Sequence, residues 1–301
     1  MIESSAAGAV VVGVDGSSYS DTALVWAATR AEASSRPLRV VHALGSPLSS
    51  DLMTGPEVSR TEVSRELAVK EATRITDDAR VLARRSAPGL VVDVEIADVD
   101  AREALIARSG RAGMVVVGTR GHGRVTSLLL GSVSTAVVAH ARGAVAVVRR
   151  RETTSLDVVV GIAGDGSDQA ALRFAADLAC EAGVDLHVLH AWSDHDTFVD
   201  TQAYGQRLES VDEHERIASE ALAGLSQTHP DLGVRVTFPD DGAARALAER
   251  SRTAECLVLG SRGRHGLVGV LGSVSRAVVE RAHCTVVVVP AGPGARDDRS
   301  R

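Results

Sequence analysis

Residues 10–27 read VVVGVDGSSYSDTALVWA, and residues 158–175 read VVVGIAGDGSDQAALRFA, with no gap between the two. Each is a short Val-rich run, a glycine-bearing turn, and then an amphipathic stretch with polar start signals. That is the pattern of a strand, a turn and a helix. The correspondence continues outward. RVVHAL (39–44) is answered by HVLHAW (187–192), MVVVGTRGHGR (114–124) by LVLGSRGRHG (257–266), and LLGSVSTAVV (129–138) by VLGSVSRAVV (270–279). Both copies finish in an apolar run, AVAVV (144–148) and TVVVVP (285–290). Internal repetition on this scale reads as two homologous domains, residues 1–151 and 152–290, joined by the polar segment RRRETTS (149–155) and followed by a flexible tail, 291–301.

Within each copy, runs such as VVVGV, LRVVHAL, VVDVEI, GMVVVG and VAVV are apolar on both faces. Strands read that way in a parallel sheet covered by helices on both sides. The segment EVSRTEVSRELAVKEATRITDDARVLARR (57–85) has helical spacing, with Val63, Leu67, Ile75, Ala79 and Leu82 expected as its buried stripe. The fold expected is α/β: two tandem doubly wound, five-stranded parallel-sheet domains with four helices each.

Composition narrows the chemistry. The 301 residues carry 33 basic and 39 acidic side chains, a net charge of −6, which does not build the basic surface that nucleic acid needs. Lys70 is the only lysine, so no G-K-[ST] phosphate loop and no kinase-type lysine exist. Cys180, Cys256 and Cys284 are odd in number and widely spaced, which argues against a disulfide framework and fits a reducing, cytoplasmic setting. No apolar run approaches the 18 or so residues that a membrane span requires, and MIESSAAG is too polar and short for a signal peptide.

The chemistry concentrates in one loop of each copy. After the fourth strand come Gly118, Thr119, Arg120 and Gly121, then nine residues, then Gly131-Ser132-Val133-Ser134 and a helix. Glycines permit close backbone approach, and a helix start offers free N–H groups and a positive dipole end to an anion. Such a loop can hold a phosphate chain without lysine. Plain turn chemistry is the competing reading for these glycines, a turn or helix cap the competing reading for Asp15, and helix caps for Ser132 and Ser273. Arg120, Arg124, Arg262 and Arg264 face either phosphate or water; His122 and His265 read as solvated loop residues; His42 and His190 read as structural hydrogen-bonders after strand two. No zinc-like cluster and no G-x-S-x-G elbow is present.

The spacing G-x2-G-x9-G-[ST] after strand four, together with V-G-x-D at the end of strand one, resembles the universal stress protein family in its tandem form, over nearly all of residues 9–290. The resemblance implies a sheet order of 3-2-1-4-5 and a pseudo-twofold between the domains. It implies an ATP site in which Gly13 and Asp15 face the ribose or adenine, Ala43 lines the adenine pocket, and Gly118, Arg120, Gly121, Gly131, Ser132, Val133 and Ser134 surround the phosphates, with Mg2+ bridging phosphate oxygens. The corresponding set in the second copy is Gly161, Ala191, Gly260, Gly263, Gly272, Ser273, Val274 and Ser275. That copy departs from the pattern: Ala163 stands opposite Asp15, Asp165 comes two residues later, and Gly263 and Gly272 have eight residues between them rather than nine. Tighter binding in the first domain is therefore expected.

The function implied is a nucleotide-dependent regulatory module in stress response or growth arrest, a homodimer with an unknown regulatory protein partner, with terminal strands pairing between domains. Two alternatives stand beside it: a slow ATPase or adenylate-forming enzyme, with His122 as the available base, and a nucleotide-free interaction scaffold.

Overall fold

The computed structural model describes residues 8–45, 58–121, 130–150, 157–192, 211–261 and 271–291, with the side chains of 58–64 and 211–213 outside the description. The chain divides into two compact units, Met1–Arg150 and Arg151–Arg301.

In the first unit the elements run β1 (Val10–Gly13), α1 (Ser18–Ala33), β2 (Leu38–Ala43), α2 (Val58–Ser86), β3 (Val92–Ala97), α3 (Ala101–Ser109), β4 (Met114–Gly118), α4 (Ser132–His140) and β5 (Val145–Val148). The strands lie in the order β3-β2-β1-β4-β5. Pairings are parallel throughout, with Val10 opposite both Leu38 and Met114. The central strands are buried on both faces: Val12, Val40, Val116 and Ala146 have no exposed surface. Valine suits this environment because its branched Cβ packs against neighbours on a pleated surface.

Helix α1 shows how the sequence sets its own boundaries. Ser17 caps it by accepting from the Ser20 amide at 3.2 Å, and Asp21 sits in the first turn, where the dipole favours negative charge. Ala23, Leu24, Ala27, Ala28 and Ala31 then form the buried stripe on the sheet. At 29 residues, α2 is roughly 43 Å long, about twice the length of a six-residue strand, so only part of it can lie on the sheet. That corrects the expected stripe. Leu67 is 61% exposed and Leu82 half-buried, Val63 lies outside the described side chains, and burial falls on Ala72, Ile75, Thr76, Ala79 and Ala83.

The second unit runs β6 (Val158–Gly161), α5 (Gln169–Ala182), β7 (Leu186–Leu189), α6 (Val211–Leu222), α7 (Leu225–Thr228), β8 (Val234–Thr237), α8 (Ala243–Arg250), β9 (Cys256–Gly260), α9 (Ser273–Arg281) and β10 (Thr285–Val289). Its strand order, β8-β7-β6-β9-β10, repeats the first. Both units thus place strands one and four side by side, the point where the winding direction reverses. The single long helix α2 has two shorter counterparts here, α6 and α7, with Gly224 between them.

Candidate functional site

The loop after β1 is fixed from two sides. The Val14 amide donates to Val41 O at 2.9 Å, and His42 Nδ1 donates to Val14 O at 2.8 Å. His42 is therefore a structural hydrogen-bonder, holding the segment that carries Asp15 against the end of β2. Asp15 Oδ1 accepts from the Ser17 amide at 3.0 Å and from Ser17 Oγ at 2.6 Å, and Gly16 takes the left-handed conformation at φ +81° that this tight turn needs. The carboxylate of Asp15 is not the cap of α1, which is Ser17. Its Oδ2 instead faces the Gly121 Cα, so close that a Cβ built there would lie 2.2 Å from it. Burial first, and then the charges of Asp15 and Asp78, push the Asp21 carboxyl above its usual range.

The loop after β4 is closed by two bonds. The Gly131 amide donates to Thr119 O at 2.7 Å, and Ser134 Oγ donates to Gly118 O at 2.6 Å. Gly118 must be glycine, because a Cβ would meet the Tyr19 carbonyl oxygen at 2.7 Å. The N-cap of α4 is Gly131, which brings no side-chain cap; Ser132 is the first helical residue. The first amides of α4 are thus left to whatever occupies the space before them. The Ser134 hydroxyl has its proton committed to Gly118 O, so its contribution to an anion is its amide.

These elements surround a cavity of about 390 Å³. All ten candidates of the first unit line it: Gly13, Asp15, Ala43, Gly118, Arg120, Gly121, Gly131, Ser132, Val133 and Ser134. The sequence reading missed Val14, Ser20, Val41, Val117 and Leu130, and above all Ala101, Ala104 and Leu105, the apolar face of α3. The i, i+3, i+4 spacing of those three, just past the end of β3, was the available signal. Gly13 gives Leu105 its room, since a Cβ at Gly13 would lie 2.9 Å from Leu105 Cδ1.

The pattern of bonded strands, the strand-one aspartate and the closed glycine loop are those of a known family. The universal stress protein family model matches residues 8–149 and again 156–290. The chain belongs to the universal stress protein family. A universal stress protein of Mycobacterium tuberculosis (strain ATCC 25618 / H37Rv) is 36% identical over 304 residues, covering 94% of this chain and 96% of that protein. The crystal structure of a universal stress protein from Archaeoglobus fulgidus DSM 4304 overlays 94% of this chain and 98% of its own with a TM-score of 0.69 at 20% identity, a likeness of fold. A universal stress protein solved in complex with cAMP matches 48% of this chain and 99% of its own, at 27% identity and a TM-score of 0.36; the cAMP belongs to that protein.

As a universal stress protein with two copies of the domain, the chain repeats the scaffold of the site but not its mouth. His190 Nδ1 donates to Ile162 O at 3.1 Å, the Gly272 amide donates to Ser261 O at 2.9 Å, and Ser275 Oγ donates to Gly260 O at 2.7 Å, each matching its partner in the first unit. Gly272 is again a cap without a side-chain bond, followed by Ser273 and Val274, both exposed. Gly161 lies against Leu247, as Gly13 lies against Leu105, and Ala191 is half-buried beyond His190. Gly263 lies outside the described residues, as do His122, Arg124, Arg262, Arg264, His265 and the tail from 292.

The loop after β6 differs. The gapless comparison sets Ala163 opposite Asp15, but the structural match of Asp15-Gly16-Ser17 is Asp165-Gly166-Ser167. Asp165 Oδ1 accepts from the Ser167 amide at 3.0 Å and from its hydroxyl, and Gly166 has φ +82°. Two extra residues carry this turn outward, and Asp165 is exposed. Asp168, 4% exposed, turns back and accepts from the Ala163 and Gly164 amides at 2.9 and 2.7 Å. Burial, with the Asp165 charge adding to it, pushes its carboxyl above the usual range, against the Gly164, Ala163 and Asp165 amides that favour the charge. Gly164, at φ +75°, is packed under Ile217 of α6. A cavity of about 570 Å³ in this unit lies between α6, α7 and β8, lined by Ala218, Leu222, Leu225, His229, Val234 and Phe238, away from the glycine loop.

Proposed function

We propose that the protein is an adenine-nucleotide-binding regulatory module whose working site is the cavity of the first unit, with ATP as its ligand. The observation that carries this reading is the convergence of Asp15, the Gly118–Gly121 turn and the uncapped start of α4 on one cavity of about 390 Å³, a volume typical of small-ligand sites. The amides of α4 and the close-approach glycines suit a phosphate chain. Asp15, acceptor-only when ionised, suits the ribose hydroxyls. Ala101, Ala104 and Leu105 offer an apolar wall to the flat face of a base.

Among the described residues no group of three His, Cys, Asp or Glu could hold a metal ion. A magnesium ion bound with ATP would be held chiefly by the phosphate oxygens, which leaves Asp15 to the ribose. Nucleotide occupancy regulates only through a difference in affinity between two states of the protein or its partners. The proposal extends to a homodimer, which light scattering checks as a mass twice that of one chain.

The test of the site is direct. Protein purified without added nucleotide is denatured, and the released adenine nucleotide is counted; calorimetry with Mg-ATP follows on nucleotide-stripped protein. About one equivalent per chain is expected. No released nucleotide together with a flat titration would overturn the reading.

A further inference from the structure

Among the described residues that line the first-unit cavity, Arg120 is a cation whose role the backbone cradle does not explain. Arg120 lies between the two glycines of the β4 loop and lines the cavity. Its Cα is next to the start of α4, 3.4 Å from where a Cβ on Gly131 would stand. Its guanidinium carbon sits 5.9 Å from the centroid of the Tyr19 ring. Tyr19 belongs to the same corner, since its carbonyl is the group that forbids a side chain at Gly118.

Several arginines elsewhere in this unit face carboxylates, while Arg30, like Arg120, lies over a ring, its guanidinium carbon 5.5 Å from the Trp26 centroid. Arg39 faces Asp93 and Glu95, Arg65 pairs with Asp98, Arg74 with Glu71 and Asp78, Arg102 with Asp100, and Arg108 with Glu95. Arg120 has no carboxylate partner among the described residues and rests on an aromatic face instead. An exposed cation–π contact is worth only about 0.5–1 kcal/mol, so it holds the side chain without committing it. A planar guanidinium that stays charged and offers a fork of donors matches phosphate oxygens two at a time.

We propose that Arg120 is the residue with which this site reads the length of the phosphate chain. It leaves Tyr19 to pair with the terminal phosphates, and so makes the site select nucleoside triphosphates over monophosphates and cyclic monophosphates. The inference rests on the adenine-nucleotide reading above. The amides of α4 serve any phosphate; the side chain at 120 adds a contact that a short chain does not reach.

Calorimetric affinities for ATP, ADP, AMP and cAMP are compared in the full-length wild type, Arg120→Gln and Arg120→Lys. In Arg120→Gln, ATP affinity should fall about 10- to 150-fold, the range for a lost charge-assisted hydrogen bond. AMP and cAMP affinities should change less than about threefold, so the ATP-to-AMP ratio collapses. Arg120→Lys keeps the charge without the fork and should lie between. The dependence of ATP affinity on salt should weaken in Arg120→Gln. A merely structural role would weaken all four ligands together and leave the ratio intact; that result overturns the proposal while the nucleotide site stands. A wild type that binds none of the four overturns both.

Discussion

The loop after β1 and the loop after β6 begin alike and end differently. Each is held by a histidine from the next strand, and each contains an Asp-Gly-Ser turn with its glycine near φ +80°. In the first unit the turn follows the strand by one residue, so the Asp15 carboxylate faces Gly121. In the second unit two added residues move the equivalent Asp165 into solvent, and Asp168 takes up the freed Ala163 and Gly164 amides. A duplicated domain can thus keep its core bonds to within a few tenths of an ångström and still lose the polar end of its site. The part that positions the loops and the part that meets a ligand are separable.

This contrast can be attacked at several points. The largest effect is expected at Gly118. Gly118→Ala drives a Cβ into the Tyr19 carbonyl, a backbone atom that cannot rotate away. Stability should fall by about 1–3 kcal/mol in urea unfolding, and nucleotide binding should be lost. Retained binding with full stability would show that the loop is less rigidly held than its contacts require.

Next comes the aspartate pair. Asp15→Asn keeps an acceptor for the Ser17 turn but removes the charge, and should weaken ATP binding about 10- to 150-fold. Asp165→Asn, on the solvated turn, should change it less than twofold. Equal losses from both variants would mean that the second unit also binds. Gly121→Ala presses on Asp15 Oδ2, the far end of a side chain, so it should weaken ATP binding about tenfold while shifting the thermal midpoint by no more than a degree or two.

The smallest expected effect concerns pH. Arg108 holds the Glu95 carboxyl below its ordinary value of 4.5, with Arg39 adding to the pull. A carboxyl whose folded pKa is depressed contributes stability above its unfolded pKa, and loses it as pH falls through the folded value. Glu95→Gln should therefore cost up to about 1 kcal/mol at pH 7 and almost nothing once the pH is well below 4.5. For Asp168 the sign is reversed. Its raised carboxyl binds its proton more tightly in the folded state, so stability falls as pH rises from the ordinary 3.8 toward the raised value. Replacing it with Asn should cost less at pH 7 than at pH 4, provided the amide can still accept from Ala163 and Gly164.

The fold was readable because buried parallel strands announce themselves as unbroken Val runs, and because the chain writes them twice. Glycine spacing and the strand-one aspartate marked the loop of the first unit, and the resemblance to the family that they carried supplied the rest of the ten lining candidates, Gly13 and Ala43 among them. The α3 wall was not readable, since Ala101, Ala104 and Leu105 look like any helix stripe until the end of β3 is placed beside β1. The Asp165 turn was hidden for a different reason: a comparison without gaps has no means of seeing a two-residue bulge between matching strands. Ser132 and Ser273 looked like caps, but the extended backbone at Gly131 and Gly272 puts the helix start one residue earlier.

The pair of bonds that clips Gly131 and Ser134 to the end of β4 recurs at Gly272 and Ser275, although one intervening stretch has nine residues and the other eight. Once its two stems are pinned, a span of this kind pays only about 0.6 kcal/mol for each doubling in length. The clip therefore does not depend on the number of residues it closes over: the strand end and the helix start are tied directly, Gly131 to Thr119 and Ser134 to Gly118, whatever count the sequence sets between them.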